Sequence, residues 1–205
     1  MNQTDAMARA ARAKKVTWVG FWVNVVLSVA KIIAGIVGRS GAMIADGVHS
    51  ISDFVTDIIV IVFIGVSAKG ENTRFRYGHG KFETFATMLI SFALFAVAVG
   101  LFWTSFSQIV DALNGKVLPR PEMVALVMAF VSVVAKEWLF HYTRVAGEQM
   151  NSMALVANAW HHRSDAFSSI AVLVGIGCAM FLGERWRVLD PIAAATVSVF
   201  IALVA

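Results

Sequence analysis

Apolar residues run along this chain in blocks far longer than the alternation of a half-buried strand or the stripe of a surface helix. Six windows are apolar almost throughout: about residues 16–37, 43–66, 85–110, 123–142, 159–182 and 189–204. A helix of about 20 such residues crosses a bilayer core. The pattern therefore predicts six membrane helices. The loops between them are short and leave no room for a soluble domain. A basic stretch, residues 9–15, precedes the first block and invites comparison with a signal peptide. The block is too long for that, however, and it ends at Gly35-Ile36-Val37-Gly38-Arg39 with no small-residue cleavage pattern. Residues 1–15 are expected to form a basic cytoplasmic tail, and residues 16–205 an all-α, six-helix transmembrane bundle.

Composition narrows the class further. Of 205 residues, 59% are apolar and 15% charged, against about 25% charged in an ordinary soluble domain. So few charges cannot clothe so much apolar surface in water. A disordered chain, a soluble nucleic-acid binder and a disulfide scaffold are excluded, and the lone Cys178 can make no internal disulfide. The net charge of +4 is read through the positive-inside rule. With six spans, Arg9, Arg12, Lys14, Lys15, Lys69, Arg74, Arg76, Lys81 and Arg144 share one side, and Arg39, Lys116, Arg120, Arg185 and Arg187 the other. Nine against five places both termini in the cytoplasm. The expected location is the cell membrane.

The informative residues are the ionisable ones inside the apolar windows. Each costs about 2.5–3.5 kcal/mol at bilayer depth on insertion scales, and such residues mark functional sites by default. Asp46, His49, Asp53 and Asp57 lie on the second helix at steps of three and four, which keeps them on one stripe. His161, His162, Arg163 and Asp165 open the fifth, where His161 and Asp165 share a face and His162 points about 100° away. The spacing His-x-x-x-Asp thus occurs on two helices. A divalent ion such as Zn²⁺ takes four nitrogen or oxygen ligands in a tetrahedron. His49, Asp53, His161 and Asp165 supply two of each, and two carboxylates balance the ion's charge. The competing reading is that the four are buried polar groups joining helices or lining a water-filled crevice. A membrane metalloprotease is disfavoured: the chain has no His-Glu-x-x-His, and four protein ligands leave no position for a catalytic water. No enzymatic activity and no organic cofactor are expected.

These residues carry a family resemblance. Ala45-Asp46-Gly47-Val48-His49-Ser50-Ile51-Ser52-Asp53 resembles the second-helix signature of the cation diffusion facilitators, and Ala157-Asn158-Ala159-Trp160-His161-His162-Arg163-Ser164-Asp165 their fifth. Asn24, Leu27, Lys31 and Gly35 resemble their first helix, and Tyr77-Gly78-His79-Gly80-Lys81 their glycine-rich turn. The resemblance implies a homodimer that exports Zn²⁺ or a similar ion from the cytoplasm in exchange for protons, by alternating access. The positions matching the family's transport site are His49, Asp53, His161 and Asp165. Two departures stand out. The family's metal-binding cytoplasmic domain has no counterpart after the sixth window, so the chain is either a naturally short member or a truncated one. The aspartate and two histidines that bind an extra metal in some members' second-to-third loop read here Asn72, Phe75 and His79. No metal is expected there, and His79 reads as a turn residue between Gly78 and Gly80.

The remaining polar residues admit more than one reading. Asp57 either draws cations along the cytoplasmic path or pairs with Lys31, Lys136 or Arg163. Asp46 either lines the release route or serves in capping or dimer contacts. His162 is a candidate for supporting a ligand or lining the path. Lys136 and Glu137 are expected to snorkel or pair at the membrane interface. Ser164, Ser168 and Ser169 would let the fifth helix approach the second. The third helix, with Ser91, Ala93, Ala96, Ala98 and Gly100, is the expected dimer contact. Cd²⁺, Co²⁺ and Fe²⁺ suit the same ligands as Zn²⁺, whereas softer or all-oxygen sites suit Cu⁺ or Mn²⁺. The alternative function is a non-transporting, metal-responsive scaffold or a subunit of a heteromeric complex.

Overall fold

The computed structural model describes residues 3–52, 80–150 and 152–204. All regular structure among them is helical. Helix α1 spans Gln3–Val37, α2 is helical over residues 41–52 as far as it is described, and α3 spans Gly80–Leu113. Helices α4 (Met123–Gln149), α5 (Met153–Phe181) and α6 (Leu189–Val204) follow, with a 3₁₀ turn at Glu184–Val188 before the last. Five helical stretches are long and apolar enough to cross a membrane: Lys15–Val37, Ser91–Leu113, Met123–Gln149, Leu155–Phe181 and Glu184–Leu203. The second predicted window is described to residue 52 alone.

Several helices outrun their apolar windows for local reasons. The basic segment before residue 16 joins α1 because Ala, Met, Arg and Lys are strong helix formers. Ser152 starts α5 six residues ahead of its window by accepting a hydrogen bond from the Leu155 N–H. Beyond its window, α4 runs on to Gln149 with an i,i+4 pair of Arg144 to Glu148 at 2.7 Å. The turn from α1 into α2 is tight. Arg39 adopts a left-handed φ of 49°, while Ser40 N–H donates to Gly35 O at 3.0 Å and Arg39 N–H to Ile36 O at 3.3 Å. That crossed pair is a Schellman ending, completed here without glycine at the left-handed position.

Small residues set how closely the helices approach. A Cβ on Gly47 would fall 2.7 Å from Ile32 Cγ1 and 3.1 Å from its backbone nitrogen, so α1 and α2 meet nearly backbone to backbone. Ala34, Ala42, Ala45, Ala125, Ala129 and Ala194 are buried around Met43, Val172, Ile176 and Ile201. In a bilayer, where burial of apolar surface offers no gain between helices, such close packing is what holds a bundle together. Among α1, α3, α4, α5 and α6, the most extensive packing is of α4 on α5, followed by α3 on α6 and α1 on α4. Large apolar side chains face outward, among them Trp22, Phe92, Trp103 and Phe130. Of the small residues on α3, Ala98 is buried in the core, which removes it from the predicted dimer face.

Candidate metal centre

Helix α5 presents His161 and Asp165 one turn apart, with His161 Nε2 3.8 Å from Asp165 Oδ2. From α2, His49 faces the same cavity, a space of about 740 Å³ whose lining includes His49, His161 and Asp165 together with Ser164 and Ser168. Apolar residues of α5 and α6 complete its wall. Three of the four predicted ligands thus border one space. The fourth, Asp53, lies outside the described residues, as do Asp57, Asn72, Phe75 and His79. Among the described residues, no three His, Cys, Asp or Glu side chains converge as a ready ligand set. Imidazole nitrogen and carboxylate oxygen are the donors that borderline divalent cations prefer.

The carboxylate of Asp165 also has a partner that sequence reasoning missed. Lys136 Nζ lies 2.7 Å from Asp165 Oδ2, with both side chains almost fully buried. Far from snorkelling at the interface, Lys136 points from α4 toward α5 and is buried there. A second buried pair stands beside it. Lys31 Nζ on α1 lies 2.9 Å from Asp46 Oδ2 on α2 and donates to Ser50 Oγ at 3.0 Å and Ser169 Oγ at 3.3 Å. Ser169 in turn donates to Asp46 Oδ2 at 3.2 Å and sits 3.3 Å from Ser132 Oγ. Asp46 therefore belongs to a buried ion pair between helices.

The two pairs form one polar seam. Ser132 and Lys136 are a turn apart on α4, and Asp165 and Ser169 a turn apart on α5. Two lysines meet two aspartates, so the seam is neutral, as a low dielectric demands. The signal available in the sequence was that a cation at bilayer depth needs an anion. Which anion it meets depends on how the helices face each other.

The other polar residues lie elsewhere. His162 is buried, with Nε2 3.5 Å from Asn158 Nδ2, and it packs against α1 beside Gly20, away from the cavity. Arg163 lies over aromatic rings, its guanidinium carbon 4.6 Å from the Phe140 centroid and 5.4 Å from that of Trp160. Of the three serines, Ser169 does join α5 to α2, while Ser164 folds back onto Trp160 O at 3.2 Å. Asp190 at the start of α6 was not singled out by its sequence context. Its buried carboxylate accepts the Ser40 hydroxyl and, at 2.8 Å, the Gly41 N–H, holding the first turn of α2 against α6.

Residues 17–205 match the cation efflux transmembrane domain. Among characterised relatives, the manganese efflux system protein MneP of Bacillus subtilis is 34% identical over 200 residues, covering 96% of this chain and 66% of its own length. The magnetosome protein MamB of Magnetospira sp. is 33% identical over 199 residues, covering 97% of this chain and 65% of its own. Mitochondrial metal transporter 1 of Saccharomyces cerevisiae is 34% identical over 185 residues, covering 79% of this chain and 36% of its own. The chain thus spans between about a third and two thirds of the length of these relatives. A bundle of long apolar helices, a cavity bordered by His49, His161 and Asp165, and a family match over nearly every residue lead to one assignment: this chain belongs to the cation efflux family, by its transmembrane domain.

Proposed function

We propose that the protein exports a divalent metal cation from the cytoplasm in exchange for protons, with Zn²⁺ as its main substrate and His49, Asp53, His161 and Asp165 as the ligands. The observation that carries this reading is the cavity: His49 of α2 and both His161 and Asp165 of α5 border it inside a membrane bundle. Asp53 follows His49 by one helical turn, which would bring its carboxylate to the same side. Two nitrogens and two oxygens suit Zn²⁺ and admit Cd²⁺, Co²⁺ or Fe²⁺.

The same donors account for the exchange. A metal requires neutral imidazoles and ionised carboxylates, so metal and protons compete for one set of groups. Histidine, with an ordinary pKa of about 6.5, gains its proton near the acidity of an external medium and loses it in the cytoplasm. The site thus fills from the cytoplasmic side and empties on the other. The six-helix count, both termini in the cytoplasm and a plasma-membrane location follow the positive-inside bias. A homodimer is proposed through α3. Manganese is the second reading, favoured by the resemblance to MneP, whose name specifies manganese efflux.

Metal uptake into sealed vesicles with an acidic lumen tests the proposal. The wild-type chain should accumulate Zn²⁺ and slow when the pH gradient is collapsed. Asp53→Ala should insert and fold yet abolish uptake, because three ligands remain and the metal's charge is no longer balanced. Wild-type uptake by Asp53→Ala would overturn the ligand set. Preference for Mn²⁺ over Zn²⁺ would favour the second reading, and no flux of any cation would leave a non-transporting scaffold.

A further inference from the structure

Two demands converge on one oxygen. Asp165 Oδ2 lies 3.8 Å from His161 Nε2, and it is also the atom that holds Lys136 Nζ, at 2.7 Å. We propose that Lys136 is a tethered cation that competes with the transported metal for the Asp165 carboxylate, so that this ion pair weakens metal binding and speeds metal release. The proposal rests on the reading of Asp165 as a metal ligand.

Charge favours such competition. Asp165 carries one negative charge, which the Lys136 ammonium already balances. A divalent ion added while Lys136 stays in place leaves the pair with uncompensated positive charge and puts two cations on one oxygen. In a low dielectric that arrangement is strongly disfavoured, so occupation by metal and occupation by the ammonium oppose each other.

The second lysine provides the contrast. Lys31 Nζ is held by Asp46, Ser50 and Ser169, three partners drawn from two other helices. Among the described residues, the Lys136 ammonium is hydrogen-bonded to Asp165 alone. Lys31 is fixed from several sides and serves as a structural tie. Lys136 is held at one point by a flexible four-carbon stem, which suits a group that must let go. The lysine with the single contact is the one on the proposed metal ligand.

Calorimetric titration of the full chain in lipid nanodiscs with Zn²⁺ and Mn²⁺, alongside thermal unfolding, tests this. Lys136→Met removes the competitor and should tighten binding of both ions by about tenfold, in line with the strength of a charged hydrogen bond. Lys136→Arg keeps the charge and can grip both carboxylate oxygens, so it should weaken binding by about tenfold with an unchanged melting temperature. The opposite signs are the signature, since loss of a merely structural contact would weaken binding in both variants or alter neither. Either of those results overturns the proposal. If Lys136→Met fails to fold around an unpaired Asp165, Lys136→Arg decides alone: weaker binding with an unchanged melting temperature upholds the competition, and wild-type binding, or weaker binding with a lowered melting temperature, ends it. Asp165→Asn separates the two levels. Wild-type affinity in Asp165→Asn removes Asp165 from the ligand set, and the competition with it. Lost affinity there, with both Lys136 variants binding like wild type, removes the competition alone.

Discussion

A lysine inside a bilayer is stable only beside an anion, and two such pairs are buried among the described residues. Their partners differ in what they do. Lys31 with Asp46 joins α1 to α2, and the Ser50 and Ser169 hydroxyls saturate it. Removing one member leaves the other charged and unpaired in a low dielectric, a loss of about 3–5 kcal/mol for buried pairs. Lys31→Met is therefore expected to lower stability by that amount, read as a fall in melting temperature in nanodiscs. Replacing the pair together, Lys31→Met with Asp46→Leu, should recover most of the loss, because two apolar groups leave no charge behind. Equal destabilisation by the single and double variants would show that shape, not charge, matters there. The sequence offered Lys31, Lys136 and Arg163 as candidate partners of Asp57, which lies outside the described residues, and did not single out Asp46 or Asp165 as the anions that Lys31 and Lys136 meet. A cation's need for an anion is legible in one dimension; the distance to it is not.

At the scale of elements, the apolar windows located the five described spans but not their ends. Ser152 and the Arg144–Glu148 pair extend α5 and α4 into polar sequence, because capping and i,i+4 contacts continue where hydropathy stops. The start of α2 depends on another element altogether. Ser40 accepts from Met43 N–H at 3.1 Å, as a local cap does. Asp190, 149 residues further on, accepts the Gly41 N–H and adds a negative charge at the same positive helix end. Asp190→Ala should cost about 1–3 kcal/mol, the range for an N-cap loss or a buried donor left unpaired. Faster hydrogen exchange at the amides of residues 41–43 would confirm that the loss lies in the first turn of α2. Unchanged exchange there would show that Asp190 acts on α6 alone. Asp190→Asn, which retains an acceptor without the charge, should fall between wild type and alanine.

For the whole molecule, α3 is the least buried of the five described spans. Phe92, Phe95, Val99, Trp103 and Phe106 are all exposed and recur at steps of three and four, which sets them on one side of the helix. Ala93, Ala96 and Gly100 lie beside them, and nothing comes within 4 Å of the Cβ position of Gly100. Such a face meets either lipid or a second copy, and small residues are what allow two membrane helices to approach closely. The proposed homodimer predicts that Ala96→Cys, in a background with Cys178→Ser, forms a disulfide-linked dimer in native bilayers. Ala98→Cys, whose position is buried in the core, should not. No cross-link at Ala96, with a monomer by native mass spectrometry, would rule out an α3 interface. The proposed ligands all come from one chain, so transport could survive that result.

What the sequence determined by itself was everything that helical periodicity carries. Long apolar blocks specify the membrane and the helices, and a His-x-x-x-Asp spacing sets both ends on one face wherever the helix sits, because one turn is about 3.6 residues. Hence spacing alone makes His161 and Asp165 neighbours and sets His162 apart from them. The tertiary structure decided the contacts between turns that are distant in the chain. Lys136 reaches Asp165 across 29 residues, and Ser40 reaches Asp190 across 150. Those partners follow from which faces α4, α5, α2 and α6 turn toward each other, and that depends on close packing of small residues throughout the bundle. No local pattern encodes it. The sequence could therefore mark Asp165 as a candidate metal ligand, while only the packed bundle revealed the lysine that shares it.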